Sequence, residues 1–370
     1  MSRPIVIAGG GTGGHVFVAQ AVADALVGSG ESPSDLRFVG SRRGQEARLL
    51  AGSETPLSLL PGRGIVRSFR PRALIQNIGA TIGLGYSIVV MALFFATWKP
   101  RVVVSVGGYA ALPAGIAAGI WRRPLVLVNI DAIPGSTHRF LARFATASAV
   151  ISTETDLPGA VVTGAPVREE FEDLDRSPAA RHHARQMLGC DPDRPFIAIV
   201  TGSLGARSVN SAVVELARQW NDKAVTIFHV TGQRDFSEIS EQAPSDLLAL
   251  NYRLVAFESD MATLYQASDI VVCRAGALTV AELGVVGFCA VMVPLPGAPG
   301  DHQTKNAQAV VNAGAGWMIS DADVSPERLG DVLQELLMDP DEVRHIEQAA
   351  RAFGRPHAAE RVAELVLKNG

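Results

Sequence analysis

The sequence has few cysteines and few charged residues for its length. Its 370 residues include three cysteines, Cys190, Cys273 and Cys289, with neither a C-x-x-C pair nor the dense spacing of a disulfide-stabilised secreted domain. Folding therefore needs neither disulfides nor a structural zinc site, and a reducing compartment is expected. Charged residues make up 19% and hydrophobic residues 48% of the chain, which excludes a disordered, collagenous or coiled-coil protein.

The N-terminus lacks the features of a secretory signal. An apolar run at residues 4–8 follows the first residues directly, without a basic segment, a long apolar stretch or a small-residue cleavage site. The chain is therefore expected to begin in the cytoplasm.

Charge is distributed unevenly along the chain. Residues 1–162 contain 15 basic and 8 acidic residues, whereas residues 163–370 contain 18 basic and 29 acidic residues. A basic half beside an acidic half indicates that the first domain alone faces an anionic surface or ligand. Ordinary variation in surface composition between domains is the alternative.

Apolar strand-like runs alternate with helical patterns in both halves, which predicts parallel α/β units. The first domain is expected to cover residues 1–162, with a C-terminal helix at about 355–370 packing back on it, and the second domain residues 163–354. A glycine-rich loop follows a strand in each half, so we predict two Rossmann-like, doubly wound parallel-sheet domains that face a central cleft. The predicted strands cover residues 5–8, 36–39, 102–106 and 125–129, with a strand-like run at 160–162, and then 196–201, 225–230, 253–256, 269–273 and 290–294.

The first glycine-rich loop, GGGTGGH at residues 9–15, lies between a strand and the helical pattern of residues 18–26. Glycines let backbone N–H groups approach a phosphate or a sugar, and the helix N-terminus adds partial positive charge. The spacing also fits an NADP-dependent oxidoreductase, in which residues 41–43 (SRR) could hold the 2′-phosphate. Because the second half is another nucleotide-type fold, and because His15 directly follows the last glycine, the pattern favours a catalytic His15 over a core histidine.

The second half carries a more specific pattern, RAGALTVAE at residues 274–282, directly after an apolar strand. A strand that ends in a glycine turn and opens a helix directs backbone N–H groups toward a diphosphate, and Glu282 can accept hydrogen bonds from both hydroxyls of a ribose. The alternative is a solvated helix residue. The polar run DHQTKN at residues 301–306 follows the next strand and is expected at the same edge of the sheet.

Six motifs in this order resemble the MurG family of glycosyltransferases: GGTGGH at 10–15, VGGYAALPAG at 106–115, TGAPVR at 163–168, GSLGAR at 202–207, CRAGALTVAE at 273–282 and DHQTKNA at 301–307. The resemblance implies a GT-B fold and inverting transfer of GlcNAc from UDP-GlcNAc to lipid I, the undecaprenyl-diphosphate-MurNAc-pentapeptide. The product would be lipid II for peptidoglycan synthesis. It also implies a peripheral protein on the cytoplasmic face of the bacterial inner membrane, with neither a cofactor nor a nucleic-acid partner.

The resemblance implies roles for residues of both halves. On the acceptor side, Thr12, Gly13 and Gly14 would form the loop at the sugar and acceptor, and His15 would be the candidate general base. The positions implied to contact the donor are Arg168, Ser203 at the diphosphate, Glu258 at the backbone that reads uracil, Ala277, Leu278, Thr279, Val280 and Ala281 at the sugar and phosphates, Glu282 at the ribose, and Gln303 at the GlcNAc hydroxyls.

The chain departs from the family pattern at two places. Residues 128–131 read VNID where the family usually has His-Glu-Gln-Asn, so Asn129 replaces a glutamate that could assist proton transfer. Asp131 replaces an asparagine expected near the donor sugar, and Leu204 replaces a glutamine in the second glycine loop. These changes affect the expected identity of the acceptor, or the efficiency of transfer to it, more than the expected identity of the donor. A paralogue with another lipid-linked acceptor and a silent nucleotide-sugar binder therefore stay open beside the oxidoreductase.

Residues 74–98 contain no charged side chain and are long enough to span a bilayer. A span would put the residue 9–15 loop and the residue 102–106 strand on opposite sides of a membrane and destroy the first sheet. We therefore predict a core-packed helix whose outer apolar face rests on anionic lipid. It is flanked by Arg63, Arg67, Arg70 and Arg72 on one side and by Lys99 and Arg101 on the other. A fully buried helix is the alternative.

No metal site is predicted. The acidic pairs at 191/193, 321/323 and 339/341 resemble the D-x-D of metal-dependent transferases, but they lie in turns or at a helix start. Departure of UDP is therefore expected to depend on helix N-termini and on Arg or Ser contacts.

Overall fold

The computed structural model describes residues 3–11, 13–61, 71–202 and 205–370, except for the side chains of residues 71–76 and 299. The chain forms two compact units, residues 1–168 with 357–370, and residues 169–356. The sequence-based boundaries were 162 and 354. Residues 163–168 belong to unit 1 partly because Arg361, in the last helix, donates two hydrogen bonds to the Thr163 carbonyl oxygen at 2.7 and 3.0 Å.

Each unit contains one parallel sheet, in the strand order β3-β2-β1-β4-β5-β6-β7 in unit 1 and β10-β9-β8-β11-β12-β13 in unit 2. All predicted strands are present with small shifts in their bounds, whereas β3, β6 and β13 were not predicted. The strands are Ile5–Gly9, Leu36–Ser41, Leu57–Leu60, Val102–Gly107, Leu125–Asn129, Ala147–Val150 and Ala160–Val162 for β1–β7, and Phe196–Val200, Thr226–Val230, Asn251–Val255, Ile270–Cys273, Cys289–Met292 and Trp317–Met318 for β8–β13.

Helices connect the parallel strands. The α-helices are α1 Gly13–Gly28, α2 Glu46–Leu49, α3 Pro71–Trp98, α4 Leu112–Ile120, α5 Ser136–Leu141, α6 Glu169–Glu172, α7 Pro178–Met187, α8 Arg207–Gln219, α9 Phe236–Gln242, α10 Met261–Ala267, α11 Ala277–Val286, α12 His302–Asn312, α13 Pro326–Met338, α14 Pro340–Phe353 and α15 Ala358–Asn369. The last helix, α15, packs against α1.

The strand order reverses at the same place in both sheets. In unit 1 the chain leaves β1, builds β2 and β3 on one side, and returns through α3 to place β4 on the other side of β1. In unit 2, β8 and β11 have the same relation. The loops that leave the carboxyl ends of such strand pairs diverge, and ligands of doubly wound sheets bind there. The candidate site in each unit is therefore expected at β1/β4 and at β8/β11.

An ion network ties helices of unit 2 to the amino end of β11. Arg176 donates to Glu347 on α14 at 2.6 Å, and Arg185 on α7 pairs with Asp269 at 2.7 Å. Arg181 bridges both carboxylates, at 2.7 Å from Glu347 and 3.1 Å from Asp269. Removing one partner would leave a poorly compensated buried charge, so the network is a structural unit. It lies at the strand end opposite to the glycine loops.

A buried histidine lies beneath the second glycine loop. On β9, Nδ1 of His229 lies 2.8 Å from the hydroxyl of Tyr252, and Nε2 lies 2.9 Å from Oδ1 of Asn210. Burial lowers the pKa of His229 to about 3. The imidazole is therefore neutral in the folded protein at neutral pH.

We expect unit 2 to lose stability on mild acidification because of this histidine. The unfolded state takes up a proton near pH 6.5 and the folded state near pH 3, so stability falls as pH drops through this window, by about 2 kcal/mol between pH 7 and pH 5. Urea unfolding at both pH values, followed with a probe in unit 2, should show a smaller pH effect in His229→Gln. An unchanged difference between the two pH values would contradict this assignment.

Candidate active site

The first glycine loop lies where β1 meets β4. Gly10 and Gly11 have φ values of +138° and +94°, which side chains rarely adopt. A Cβ atom added to Gly9 would lie 2.1 Å from Cγ2 of Val106 on β4. The loop therefore passes close to β4 before α1 begins at Gly13. Gly13, Gly14 and His15, which were expected in the loop, form the first turn of α1 instead, and Thr12 lies outside the described residues.

His15 is packed against the end of β4. A Cβ atom added to Gly107, where φ is +95°, would lie 3.1 Å from Nε2 of His15. Burial lowers the pKa of His15 below its usual value and outweighs the opposing effects of the Asp131 and Glu46 carboxylates. The imidazole is thus neutral at neutral pH, which is the state that can accept a proton.

Asn129, at the position where the MurG family usually has a glutamate, is buried, and both ends of its side-chain amide have hydrogen-bond partners. Nδ2 of Asn129 donates to the carbonyl oxygen of Asp131 at 2.7 Å, so its Oδ1 faces Nδ1 of His138 at 3.2 Å. Nε2 of His138 lies 3.3 Å from Oγ of Ser105 on β4. The side chain of Asn129 therefore holds the Asp131 turn to α5 and is not placed to act as a base.

His138 is a second imidazole beside Gly107, and no sequence motif singled it out. A Cβ atom added to Gly107 would lie 3.3 Å from Cε1 of His138, so both histidines border the same glycine. Burial, with a further contribution from nearby His15, lowers the pKa of His138 to about 4. Two neutral imidazoles therefore lie beside Gly107 at neutral pH.

Arg168 also belongs to unit 1. Its guanidinium carbon lies 4.7 Å from the centre of the Phe17 ring, two residues beyond His15 on α1. This contact places the end of the TGAPVR motif on the helix that carries His15. The role of Arg168 toward a donor stays a prediction.

In unit 2, Arg274 follows β11 and organises the edge of the sheet. Its Nη1 donates to the carbonyl oxygens of Val293 and Pro294 at 3.0 and 3.1 Å and pairs with Asp321 at 2.5 Å. Helix α11 then begins at Ala277, after Gly276. The residues of the first turns of α11 are those predicted from the motif, Ala277, Leu278, Thr279, Val280, Ala281 and Glu282.

Glu282 is buried, with Oε2 3.4 Å from the hydroxyl of Tyr265 on α10. Burial and the Glu282 charge raise the pKa of nearby Cys273 to about 12. The thiol therefore stays protonated at neutral pH and is unsuited to act as a nucleophile. The alternative of a solvated Glu282 does not fit its 7% exposure.

Gln303 and α12 lie next to the start of α11. Oε1 of Gln303 accepts from the backbone N–H of Leu295 at 2.9 Å, and Nδ2 of Asn306 donates to the Ala275 carbonyl oxygen at 3.2 Å. The DHQTKN run is thus at the same sheet edge as the α11 motif. Glu258 follows the edge strand β10, where its Oε1 accepts from the Asp260 N–H at 2.8 Å. Ser203 lies outside the described residues.

Acidic side chains of unit 2 that resemble metal ligands have local partners. Asp191 accepts from the Asp193 N–H, and Asp339 accepts from the N–H groups of Asp341 and Glu342 at the start of α14. Throughout the described parts of the chain, no group of three or more His, Cys, Asp or Glu side chains could hold a metal ion.

Comparison with known proteins agrees with this architecture. Residues 5–150 match the family model for the glycosyltransferase family 28 N-terminal domain, and residues 196–362 match that for its C-terminal domain. A relative from Alkalilimnicola ehrlichii, named UDP-N-acetylglucosamine–N-acetylmuramyl-(pentapeptide) pyrophosphoryl-undecaprenol N-acetylglucosamine transferase, is 36% identical and aligns over 100% of this chain and 99% of its own. A protein of the same name from Mycobacterium avium is 37% identical over 99% of this chain and 88% of its own. The chain belongs to the MurG family.

A solved MurG-family structure has the same fold. The crystal structure of Acinetobacter baumannii MurG matches with a TM-score of 0.75 and 29% identity, covering 99% of this chain and 100% of that one. The two parallel-sheet units are therefore those of the GT-B fold, which confirms the fold class expected from the six motifs. Family membership also counts against the oxidoreductase alternative, since both halves match glycosyltransferase domains.

Proposed function

We propose that this protein is a UDP-GlcNAc-dependent N-acetylglucosaminyltransferase that transfers GlcNAc to lipid I and forms lipid II in peptidoglycan synthesis. The observation that carries the proposal is the match, over the whole chain, to transferases named for this reaction. The test is direct: purified protein is mixed with radiolabelled UDP-GlcNAc and lipid I, and labelled lipid II is expected. Binding of UDP-GlcNAc without labelled product would instead identify a silent paralogue or one with another acceptor.

The donor is assigned to unit 2. N–H groups at the start of α11 and the second glycine loop, with Ser203, would stabilise the diphosphate of the leaving UDP without a metal ion. Glu282 would accept hydrogen bonds from the ribose hydroxyls, exchanging its weak contact with Tyr265 for stronger ones. Gln303 would contact the GlcNAc hydroxyls, and backbone groups near Glu258 would recognise the uracil base.

The chemistry is assigned to His15 in a single displacement. The acceptor hydroxyl oxygen forms a bond to the anomeric carbon, the bond from that carbon to the UDP oxygen breaks on the opposite face, and the hydroxyl proton passes to His15, directly or through water. The configuration inverts and no covalent sugar-enzyme intermediate forms. The lowered pKa of His15 supports this role, because the neutral imidazole predominates at neutral pH.

We also propose that α3 rests on the cytoplasmic face of an anionic membrane. Residues Asn77–Trp98 form a helix long and apolar enough to cross a bilayer, but β4 follows it and pairs with β1 in the same sheet. A span would separate these two strands, so a peripheral contact is favoured. The exposed side chains recur every three or four residues and are 58–68% exposed: Ile78, Ile82, Tyr86, Val89 and Leu93.

Phe94 and Phe95 do not lie on this exposed stripe. Phe95 is fully buried, and Phe94 stacks on Trp98 with their ring centres 4.6 Å apart. Arginines 63, 67 and 70 of the expected basic rim lie outside the described residues. The exposed stripe rules out a fully buried α3.

Replacing Glu282 should weaken donor binding. Loss of charged hydrogen bonds to the ribose in Glu282→Ala is expected to raise the Kd for UDP-GlcNAc by about tenfold to a hundredfold, with Glu282→Gln in between. Glu335→Ala, an exposed glutamate on α13, is the control. Isothermal titration with an unchanged Kd for Glu282→Ala would remove this residue from the donor site.

Replacing His15 should affect turnover and not donor binding. His15→Ala is expected to lower kcat by about a hundredfold or more, with the Kd for UDP-GlcNAc unchanged.

Asp131→Asn should lower kcat less than His15→Ala does. Because the Asp131 charge raises the pKa of His15, its loss should move the acid limb of the pH–rate profile to lower pH. A fully active His15→Ala enzyme would exclude His15 as the base, and an unmoved limb in Asp131→Asn would leave Asp131 a structural turn residue.

Polar substitutions on the exposed stripe should weaken membrane binding. Ile82→Ser with Leu93→Ser is expected to reduce sedimentation with liposomes that contain anionic lipid, and raised salt should do the same by screening the basic rim. Met187→Ser with Met338→Ser, which changes exposed methionines of unit 2, is the matched control. Equal binding by all variants at all salt concentrations would contradict the assignment of α3.

A further inference from the structure

A buried carboxylate lies under the first glycine loop. Glu46 begins the short helix α2 and is 1% exposed. Its Oε1 accepts from the backbone N–H of Gly11 at 2.9 Å and of Ser41 at 3.0 Å. One oxygen thus ties the loop that leads to His15 to the end of β2.

The Glu46 carboxylate fits only because three surrounding residues are glycines and have no side chains. A Cβ atom added to Gly10, Gly40 or Gly44 would lie 1.9, 2.7 or 1.8 Å from atoms of the Glu46 side chain. The second oxygen, Oε2, is buried and has no hydrogen-bond partner within the parts of the chain that the structure describes. Burying a charged group whose oxygen is unsatisfied costs free energy, and an apolar residue would avoid that cost. The arrangement therefore points to a use for the charge itself.

The charge of Glu46 acts on His15. Asp131, in the turn after β5, is the other carboxylate whose charge favours the imidazolium form of His15. Other polar and charged groups of this region include His138 on α5, which couples to His15, Tyr109, whose hydroxyl donates to Oγ of Ser41 at 3.0 Å, and Arg168, which lies over Phe17. Glu46 is also hydrogen-bonded to the loop itself through the Gly11 N–H, so one side chain is linked both to the loop and to the charge state of His15.

We propose that Glu46 is a positioning residue for the transfer reaction, which holds the glycine loop through the Gly11 N–H and stabilises the imidazolium that forms on His15. This rests on the proposed role of His15 as the base. In the reaction, the acceptor hydroxyl loses its proton to His15 while its oxygen bonds to the anomeric carbon and UDP leaves. A fixed, desolvated carboxylate nearby offsets the positive charge that develops on the ring.

Two measurements distinguish this role from simple packing. The first is the titration of His15 in histidine-labelled protein by NMR, with the signal assigned from its absence in His15→Ala. The second is the pH profile of kcat/KM for GlcNAc transfer. Glu46→Gln keeps an oxygen for the two N–H donors and removes the charge, and Glu54→Gln, at an exposed position of unit 1, is the matched control.

In Glu46→Gln we expect the midpoint of the His15 titration and the acid limb of kcat/KM to move together to lower pH, by about half a unit or more. The plateau rate should fall by about fivefold, because a base of lower proton affinity is weaker. Glu54→Gln should change neither. An unmoved His15 titration in a folded Glu46→Gln protein overturns the proposal. A moved titration with an unmoved rate profile supports the coupling but removes His15 as the base, so the two failures are distinguishable.

Gly44→Ala provides a second test if Glu46→Gln does not fold. The new methyl group would lie 1.8 Å from Oε2, so it displaces the carboxylate while the charge is kept. The expected result is a severalfold lower kcat with an unchanged KM for UDP-GlcNAc, since the donor is assigned to unit 2. A folded Gly44→Ala enzyme with the kcat of the unmodified protein would overturn the positioning role.

Discussion

The arrangement of unit 1 depends on a close approach of two backbone segments, at the ends of β1 and β4. A Cβ atom on Gly108 would lie 2.2 Å from the carbonyl oxygen of Gly10, and one on Gly9 would lie 2.1 Å from Val106. Side chains are excluded from this contact, so the two loops can pass each other and α1 can begin beside β4. The position of His15, the packing of His138 and the bonds of Glu46 all follow from this contact.

Two opposing electrostatic effects then set the state of His15. Removal from water disfavours the charged imidazole, and the Asp131 and Glu46 carboxylates favour it. Burial is the larger effect, so the ring stays neutral at rest. In the proposed reaction the carboxylates would stabilise the proton that His15 accepts, and because they are already placed this needs no reorganisation. The site proposed in unit 2 differs, because there backbone N–H groups and buried polar side chains at a helix start would contact the donor.

The sequence predicted the fold class, the main strands and the two glycine loops, since long apolar runs and glycine spacing are local signals. It missed β3, β6 and β13, which are only two to four residues long. Glu46 could not be found because its bond to Gly11 joins residues 35 positions apart. Asn129 was recognised as a departure, but its bond to His138 depends on the fold of α5. The inward orientation of Phe95 was likewise invisible in an unbroken apolar run.

The return of α15 to unit 1 makes that unit discontinuous in the chain, whereas unit 2 is one continuous segment, residues 169–356. During synthesis, unit 2 has all its residues before unit 1 does, and α1 must wait for its neighbour α15 to leave the ribosome. The helix that carries the candidate base therefore reaches its final packing among the last steps of folding. Assembly of the chemical machinery is in this way coupled to completion of the polypeptide.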